Sequence, residues 1–198
     1  SGGQKAVSIP VSTKTRLGWE GPETLIPFIG DLLAAGSDMI TIHGRTVKQQ
    51  YSGEADWGPI YALKDAYPEA VILGNGDIRS GADAKAKLGN LDGVMIGRGS
   101  FGNPWILHEV YAALYNEEST PPTPEEKGAI IRKHAELLIE TKGQRRAMLE
   151  FRKHLLSFTR GFAGARDLRA QMTSIEKIED VENVVQQIVQ GNAELVMQ

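Results

Sequence analysis

Along the first 116 positions, apolar residues come either in short β-branched runs or at helical spacing of three to four residues. Runs of the first kind predict strands and spacing of the second kind predicts helices. Ile9 to Leu17 reads as extended, with Pro10 tolerable near its start. A helix follows from Glu23 to Ala35, entered after Pro22 and stopped by Gly36. Met39 to His43 is the second strand. The polar loop from Gly44 to Ala55 then leads to Asp56, a residue suited to cap a helix from Trp57 to Ala66 that ends before Pro68. Val71 to Gly74 reads as a strand, Ser80 caps a helix to Leu88, and Gly93 to Ile96 is a strand leading to a helix from Pro104 to Tyr115. Four βα units in series predict a parallel sheet.

The stretch Asn116 to Pro124 (NEESTPPTP) has the composition of a linker. Beyond it the pattern is helical only: Glu125 to Thr141, Gln144 to Arg160, Ala165 to Met172, and about Asp180 to Val189. The expected organisation is an α/β domain over 1–116, a linker at 117–124 and an all-helical C-terminal domain over 125–198. Four strands in an open sheet leave two hydrogen-bonding edges bare, whereas a closed βα barrel takes eight. The opening Ser1-Gly2-Gly3 also resembles a truncation point. The α/β part therefore reads as the second half of a TIM (βα)8 barrel. Its expected partner is a missing N-terminal half-barrel, or a second copy that covers the exposed edges.

Candidate chemistry sits at the strand ends, where βα folds collect it. Lys14 and Arg16 share one face of the first strand by its period of two. Lys14 suits an electron-rich ring oxygen or an anionic cofactor, and equally a solvated edge. His43 and Arg45 bracket Gly44 just past the second strand, where a lone histidine is more often structural than functional. Asn75 and Asp77 flank Gly76, which a plain Asn-Gly turn also explains. Gly97, Arg98 and Gly99 end the fourth strand just before a helix, the usual phosphate position of such barrels.

Composition narrows these options. There is no cysteine, which removes thiol catalysis and Cys-ligated metal from this stretch of chain. The histidines at 43, 108, 134 and 154 are too far apart in sequence to suggest a metal cluster. No apolar run reaches spanning length, so the expectation is a soluble cytoplasmic protein without membrane contact. The net charge of −3 hides a basic segment: Lys142 to Arg169 holds eight Lys or Arg against Glu150 and Asp167. On a helix, Arg145, Arg146, Arg152, Lys153 and Arg160 fall in one arc of about 120°, apart from the arc of Met148, Phe151, Leu155 and Phe158. One side packs and the other presents positive charge to a polyanion, with a plain solvated face as the alternative. Leu149 and Leu156 intrude on the basic arc. Trp19, Trp57 and Trp105 read as core or interface packing residues rather than base-stacking platforms.

The strings VSTKTRLGW (11–19), ITIHGRT (40–46), VILGNGDI (71–78) and GVMIGRGSFGNPWI (93–106) resemble the C-terminal half of a tRNA-dihydrouridine synthase. FRKHLLSFTRGFAGARDLRAQM (151–172) is similar to the helical domain of that family's bacterial B-type branch. The resemblance implies an FMN enzyme that reduces uridine in tRNA to 5,6-dihydrouridine, with NADPH as reductant. It implies that Lys14 contacts the isoalloxazine and His43 hydrogen-bonds the cofactor. Asn75, Gly76 and Asp77 would line the ribityl and phosphate end, and Gly97 and Arg98 would grip the phosphate. Arg16 and Arg45 would face the target nucleotide. The family's catalytic cysteine belongs to the N-terminal half, so no catalytic residue is carried over and the chain alone is expected to be inactive. Two other readings stay open: a non-catalytic RNA-binding or assembly module, and another FMN barrel acting on a small molecule, such as a dihydroorotate dehydrogenase-like enzyme.

Overall fold

Alternation along the strands decides which face of the sheet packs and which is left polar. The computed structural model describes residues 7–159 and 171–196. Strands β1 (Ser12–Arg16), β2 (Met39–His43), β3 (Val71–Asn75) and β4 (Gly93–Met95) form one parallel sheet in that order. Their register is even, so Lys14 lies beside Thr41, Leu73 and Gly93, and Arg16 beside His43, Asn75 and Met95. Ile40, Ile42 and Ile72 point to the other face, are fully buried, and form the core with Leu25, Ile29, Ile60 and Leu63 from the helices. One face is therefore apolar and covered by helices, while the opposite face carries the Lys, Arg, His and Asn side chains.

The helices of this unit are α1 (Leu25–Ala34), α2 (Gly58–Ala66), α3 (Gly81–Leu88) and α4 (Ile106–Tyr115). Helix α1 ends as the sequence signals: Gly36, at φ +95°, donates to Leu33 O, and Ser37 N–H returns to Leu32 O. Those paired bonds satisfy the last carbonyls, and glycine takes the left-handed position at least cost. Ser80 Oγ accepts from Asp83 N–H at 3.1 Å and caps α3. Asp56 serves the start of α2 from one position further out, its Oδ1 accepting from Gly58 N–H. Lys64 closes the link into β3 by donating to Pro68 O, Ala70 O and the Asp92 carboxylate.

The chain divides into two compact units, and residues 101–105 group with the second. Helix α4 starts at Ile106 rather than at Pro104, and Gly102, at φ +71°, turns the chain ahead of it. The elements described in the second unit are helices α5 (Pro124–Lys142), α6 (Gln144–Phe158) and α7 (Ile178–Val196). Thr123 and Glu126 form a reciprocal capping box at the start of α5, with Pro124 at the first helical position. Phe151, Met148 and Leu155 of α6 pack with Ile131 of α5 and Val181, Val185 and Ile188 of α7. The expected helix from Ala165 to Met172 falls largely outside the described residues, as do Arg160, Arg166 and Arg169. No helix among the described residues is long and apolar enough to cross a membrane.

Trp57 is buried in the core, whereas Trp19 is 70% exposed in the loop after β1 and does not belong to that core. Gly74 leaves the space that Trp57 fills: a Cβ there would lie 2.1 Å from Trp57 Cζ3 and 2.8 Å from Leu91 Cδ1. Gly74→Ala should therefore overpack the seam between β3 and α2 and destabilise the chain by about 1–3 kcal/mol. A lower midpoint of chemical unfolding checks this; an unchanged midpoint would mean that Trp57 moves aside freely.

Candidate functional site

At the C-terminal ends of the strands, the polar face gathers Arg16, His43, Asn75, Asp77 and Arg98, with Lys14 one step below on β1. Asn75 is oriented by its own strand neighbour, its amide donating to Met95 O at 2.7 Å. Gly76 (φ +136°) and Asp77 (φ +50°) then turn the chain sharply. Glycine is required at the first of these, since a Cβ on Gly76 would sit 2.5 Å from the Ala55 Cβ.

Asp77 organises the charges. Its Oδ2 accepts from Arg45 Nη2 at 2.7 Å and from Ala55 N–H at 2.8 Å, and its Oδ1 faces Arg98 Nη2 at 3.3 Å. Burial pushes this carboxyl up. The hydrogen bonds from Arg45 and Ala55, with the charges of Arg45 and Arg98, more than offset that and hold it below the ordinary range. Arg45 is only 3% exposed, and its Nε and Nη2 also donate to Ser52 O and Gly53 O. The position expected to face a nucleotide thus points inward and holds the loop between β2 and α2. Arg16 supports the same loop, its Nη1 donating to Thr46 O and Gln50 O, both at 2.7 Å. Tyr51, which the sequence reading passed over, lies at the loop tip, 61% exposed.

His43 sits among cations. Burial first, then Arg16, Lys14 and Arg45, lower its pKa to about 4, with Asp77 opposing. It is therefore neutral near pH 7. Arg45 Nη1 lies 3.4 Å from His43 Nε2, and a guanidinium can only donate, so Nε2 accepts and Nδ1 carries the proton. Partial burial, then Arg16, lower the pKa of Lys14, whose side chain is otherwise exposed. Lys14, Arg16, Arg45 and Arg98 bring four positive charges to this end of the sheet against the carboxylate of Asp77. A Cβ on Gly97 would meet nothing within 4 Å, so the strand end beside Arg98 has open space. Uncompensated cations, a neutral imidazole donor and open backbone fit an anionic group such as a flavin phosphate.

In the second unit, Arg145 and Arg146 are exposed at the start of α6. With Lys142, Gly143, Gln144 and Leu149 they line a surface concavity. Arg146 and Lys142 both pair with Glu150. Lys153 is exposed, but Arg152 is not available to a phosphate in the same way: its Nε and Nη2 converge on Ile175 O at 3.2 and 2.9 Å. His134 and His154, distant in sequence, meet with ring centroids 4.8 Å apart, and His134 stands edge-on to Phe151.

Residues 3–194 match the family model described as "Dihydrouridine synthase (Dus)". The chain belongs to the dihydrouridine synthase family. It is 39% identical over 188 residues to a probable tRNA-dihydrouridine synthase 1 of Synechocystis, covering 93% of this chain and 52% of that protein. Against a probable tRNA-dihydrouridine synthase of Mycobacterium leprae the identity is 34% over 182 residues, covering 90% of this chain and 47% of that one. A probable tRNA-dihydrouridine synthase of Rickettsia prowazekii is 37% identical over 169 residues, 83% of this chain and 51% of its own length. The chain spans about half the length of the curated relatives it matches.

The lowered pKa of His43 links the site to pH. Because folding disfavours its protonated form, the stability it contributes is complete above about pH 6.5 and is lost as the pH falls toward about 4. His43→Gln should flatten the dependence of unfolding free energy on pH between 6.5 and 4, and the wild-type imidazole should remain neutral at pH 5.5 by NMR. A His43 ring titrating near 6.5 would contradict the assignment of its surroundings.

Proposed function

We propose that this chain is the C-terminal part of an FMN-dependent tRNA-dihydrouridine synthase. Its four βα units would form one half of a (βα)8 barrel, and its helical domain would contact the tRNA. The supporting observation is the meeting of Lys14, Arg16, His43, Asn75, Asp77 and Arg98 at the C-terminal strand ends, on the face opposite the helices, in a member of this family. In a closed βα barrel helices lie outside and ligands gather at that end. A second half-barrel would also pair with the outer edges of β1 and β4. A tRNA substrate implies work in the cytoplasm.

The bound flavin, renewed by NADPH, would supply hydride to C6 of a uracil unstacked from the RNA. The chain's own residues would bind and orient. Arg98 and the open backbone at Gly97 hold the phosphate. Asn75, Gly76 and Asp77 line the ribityl end, Asp77 chiefly by fixing Arg45 and Arg98. Lys14 brings positive charge to the ring, and the Nδ1–H of His43 donates a hydrogen bond to the cofactor. Arg16 faces the nucleotide, while Arg45 acts indirectly, through the loop it holds. Protonation of C5 calls for a group outside these 198 residues, which contain no cysteine, so the chain alone should not turn over.

Two measurements follow. FMN should bind stoichiometrically to a form of the protein as long as its relatives and weakly or not at all to the 198 residues. In the longer form, Arg98→Ala should cost about 1.5–3 kcal/mol of FMN binding, the range for a charge-assisted contact. Unchanged flavin content after dialysis would remove Arg98 from the site. For the RNA side, affinity of the 198-residue chain for tRNA should fall with salt at a log–log slope of roughly −0.7 to −0.9 per phosphate neutralised. Charge reversal at Arg145 and Lys153, neither of which anchors another element, should abolish that binding; retained binding would make the arc a solvated face.

A further inference from the structure

The ring of Tyr51 carries two guanidinium groups. Arg98 lies 4.5 Å from its centroid and Arg16 5.4 Å. These arginines come from opposite edges of the sheet, Arg16 from the end of β1 and Arg98 from just past β4, while Tyr51 belongs to the loop after β2. An aromatic face attracts each cation, but the two like charges gathered at one ring repel one another. Asp77 relieves only one side, through its 3.3 Å pairing with Arg98, which itself remains 49% exposed. Arg16 is tied to the same loop on the N-terminal side of the aromatic residue, through Thr46 O and Gln50 O, the second of these directly adjoining it. Gln50, immediately before Tyr51, has φ +52°, so the loop backbone at this point is held in the left-handed region by its surroundings. A change in charge at Arg98 therefore acts on Tyr51, on the loop and on Arg16 together.

From these contacts we propose that Tyr51 is a positioning residue that couples the two ligands of this site: anion binding at Arg98 settles Arg16 on the ring and the loop carbonyls, in the arrangement that meets RNA. The inference rests on the FMN and tRNA reading above and deepens it. When a phosphate takes up the Arg98 charge, the repulsion between the two arginines at the ring falls, and the position of Arg16 against Thr46 O and Gln50 O gains in stability. Linkage makes the effect reciprocal, so RNA binding tightens the hold on the flavin by the factor by which the flavin tightens the hold on RNA. Neither ligand needs to touch the other.

The test measures FMN affinity by quenching of flavin fluorescence in the protein as long as its relatives, with and without saturating unmodified tRNA transcript. In the wild type, tRNA should tighten FMN binding by at least about fivefold, the lower end of typical coupling between sites. Tyr51→Phe keeps the ring and should keep the factor. Tyr51→Ala should bring it close to one, and because the side chain is largely exposed the fold should survive the change. Both ligands binding independently in the wild type would overturn the inference, as would a Tyr51→Ala protein that retains the full factor. A Tyr51→Ala protein that loses tRNA affinity equally with and without FMN would show a direct contact instead, which also overturns it. Failure of FMN to bind at all would overturn the functional reading and this inference with it, whereas the other outcomes bear on the coupling alone.

Discussion

The ion pair between Arg45 and Asp77 is the contact on which the upper rim of the sheet depends. Arg45 leaves β2 pointing inward, and Asp77 leaves β3 through a turn that only a left-handed backbone can make. Burying either charge alone is expensive, and breaking such a pair from one side costs about 3–5 kcal/mol because the other charge is left stranded. Around it, Ser52 O and Gly53 O accept from the guanidinium, whose Nη1 meets His43 Nε2, and Ala55 N–H donates to the carboxylate. A single pair thus fixes the ends of two strands, a long polar loop and, through the second carboxylate oxygen, the resting position of Arg98.

That arrangement leaves the surrounding cations unneutralised. One carboxylate answers Arg45 and part of Arg98, while Lys14 and Arg16 stay nearby. Burial first, and then the field they create, suppress protonation of His43, so the imidazole is neutral, with its tautomer set by Arg45. Charge and hydrogen-bonding capacity are thereby separated: the arginines and lysine supply the field, and histidine and asparagine supply direction.

Much of this was legible in the sequence, because MITIH and the Gly-rich strand ends are short, periodic and bounded by strong turn signals. The order and parallel sense of the four strands follow from the repeating βα pattern. The direction of Arg45 was not legible, since HGR reads the same whether its arginine points out to a ligand or in to a carboxylate met later in the chain. Tyr51 gave no periodic signal within KQQYSG, and its cationic neighbours come from other strands. In the helical unit, a wheel drawn for α6 groups Arg152 with the exposed Arg145 and Arg146 and cannot show that it holds a carbonyl of the segment leading into α7. Angle around a single helix carries no information about a partner elsewhere in the chain.

The even register of the sheet sets where this protein can change in length. Strands β2 and β3 contribute isoleucines to the helix-covered layer and the polar groups Thr41, His43 and Asn75 to the opposite layer at alternate positions. One extra residue inside β2 would swing Thr41 and His43 into that apolar layer and leave isoleucine among arginines, so both core and site would fail together. The same insertion among the exposed residues 47–49 would leave the strands in step, whereas at Gln50 or Tyr51 it would also disturb the contacts of Arg16 and Arg98. Evolutionary gaps and engineered insertions should accordingly be confined to loops, and the spacing of His43 from the start of β2 should be as rigid as the side chain itself.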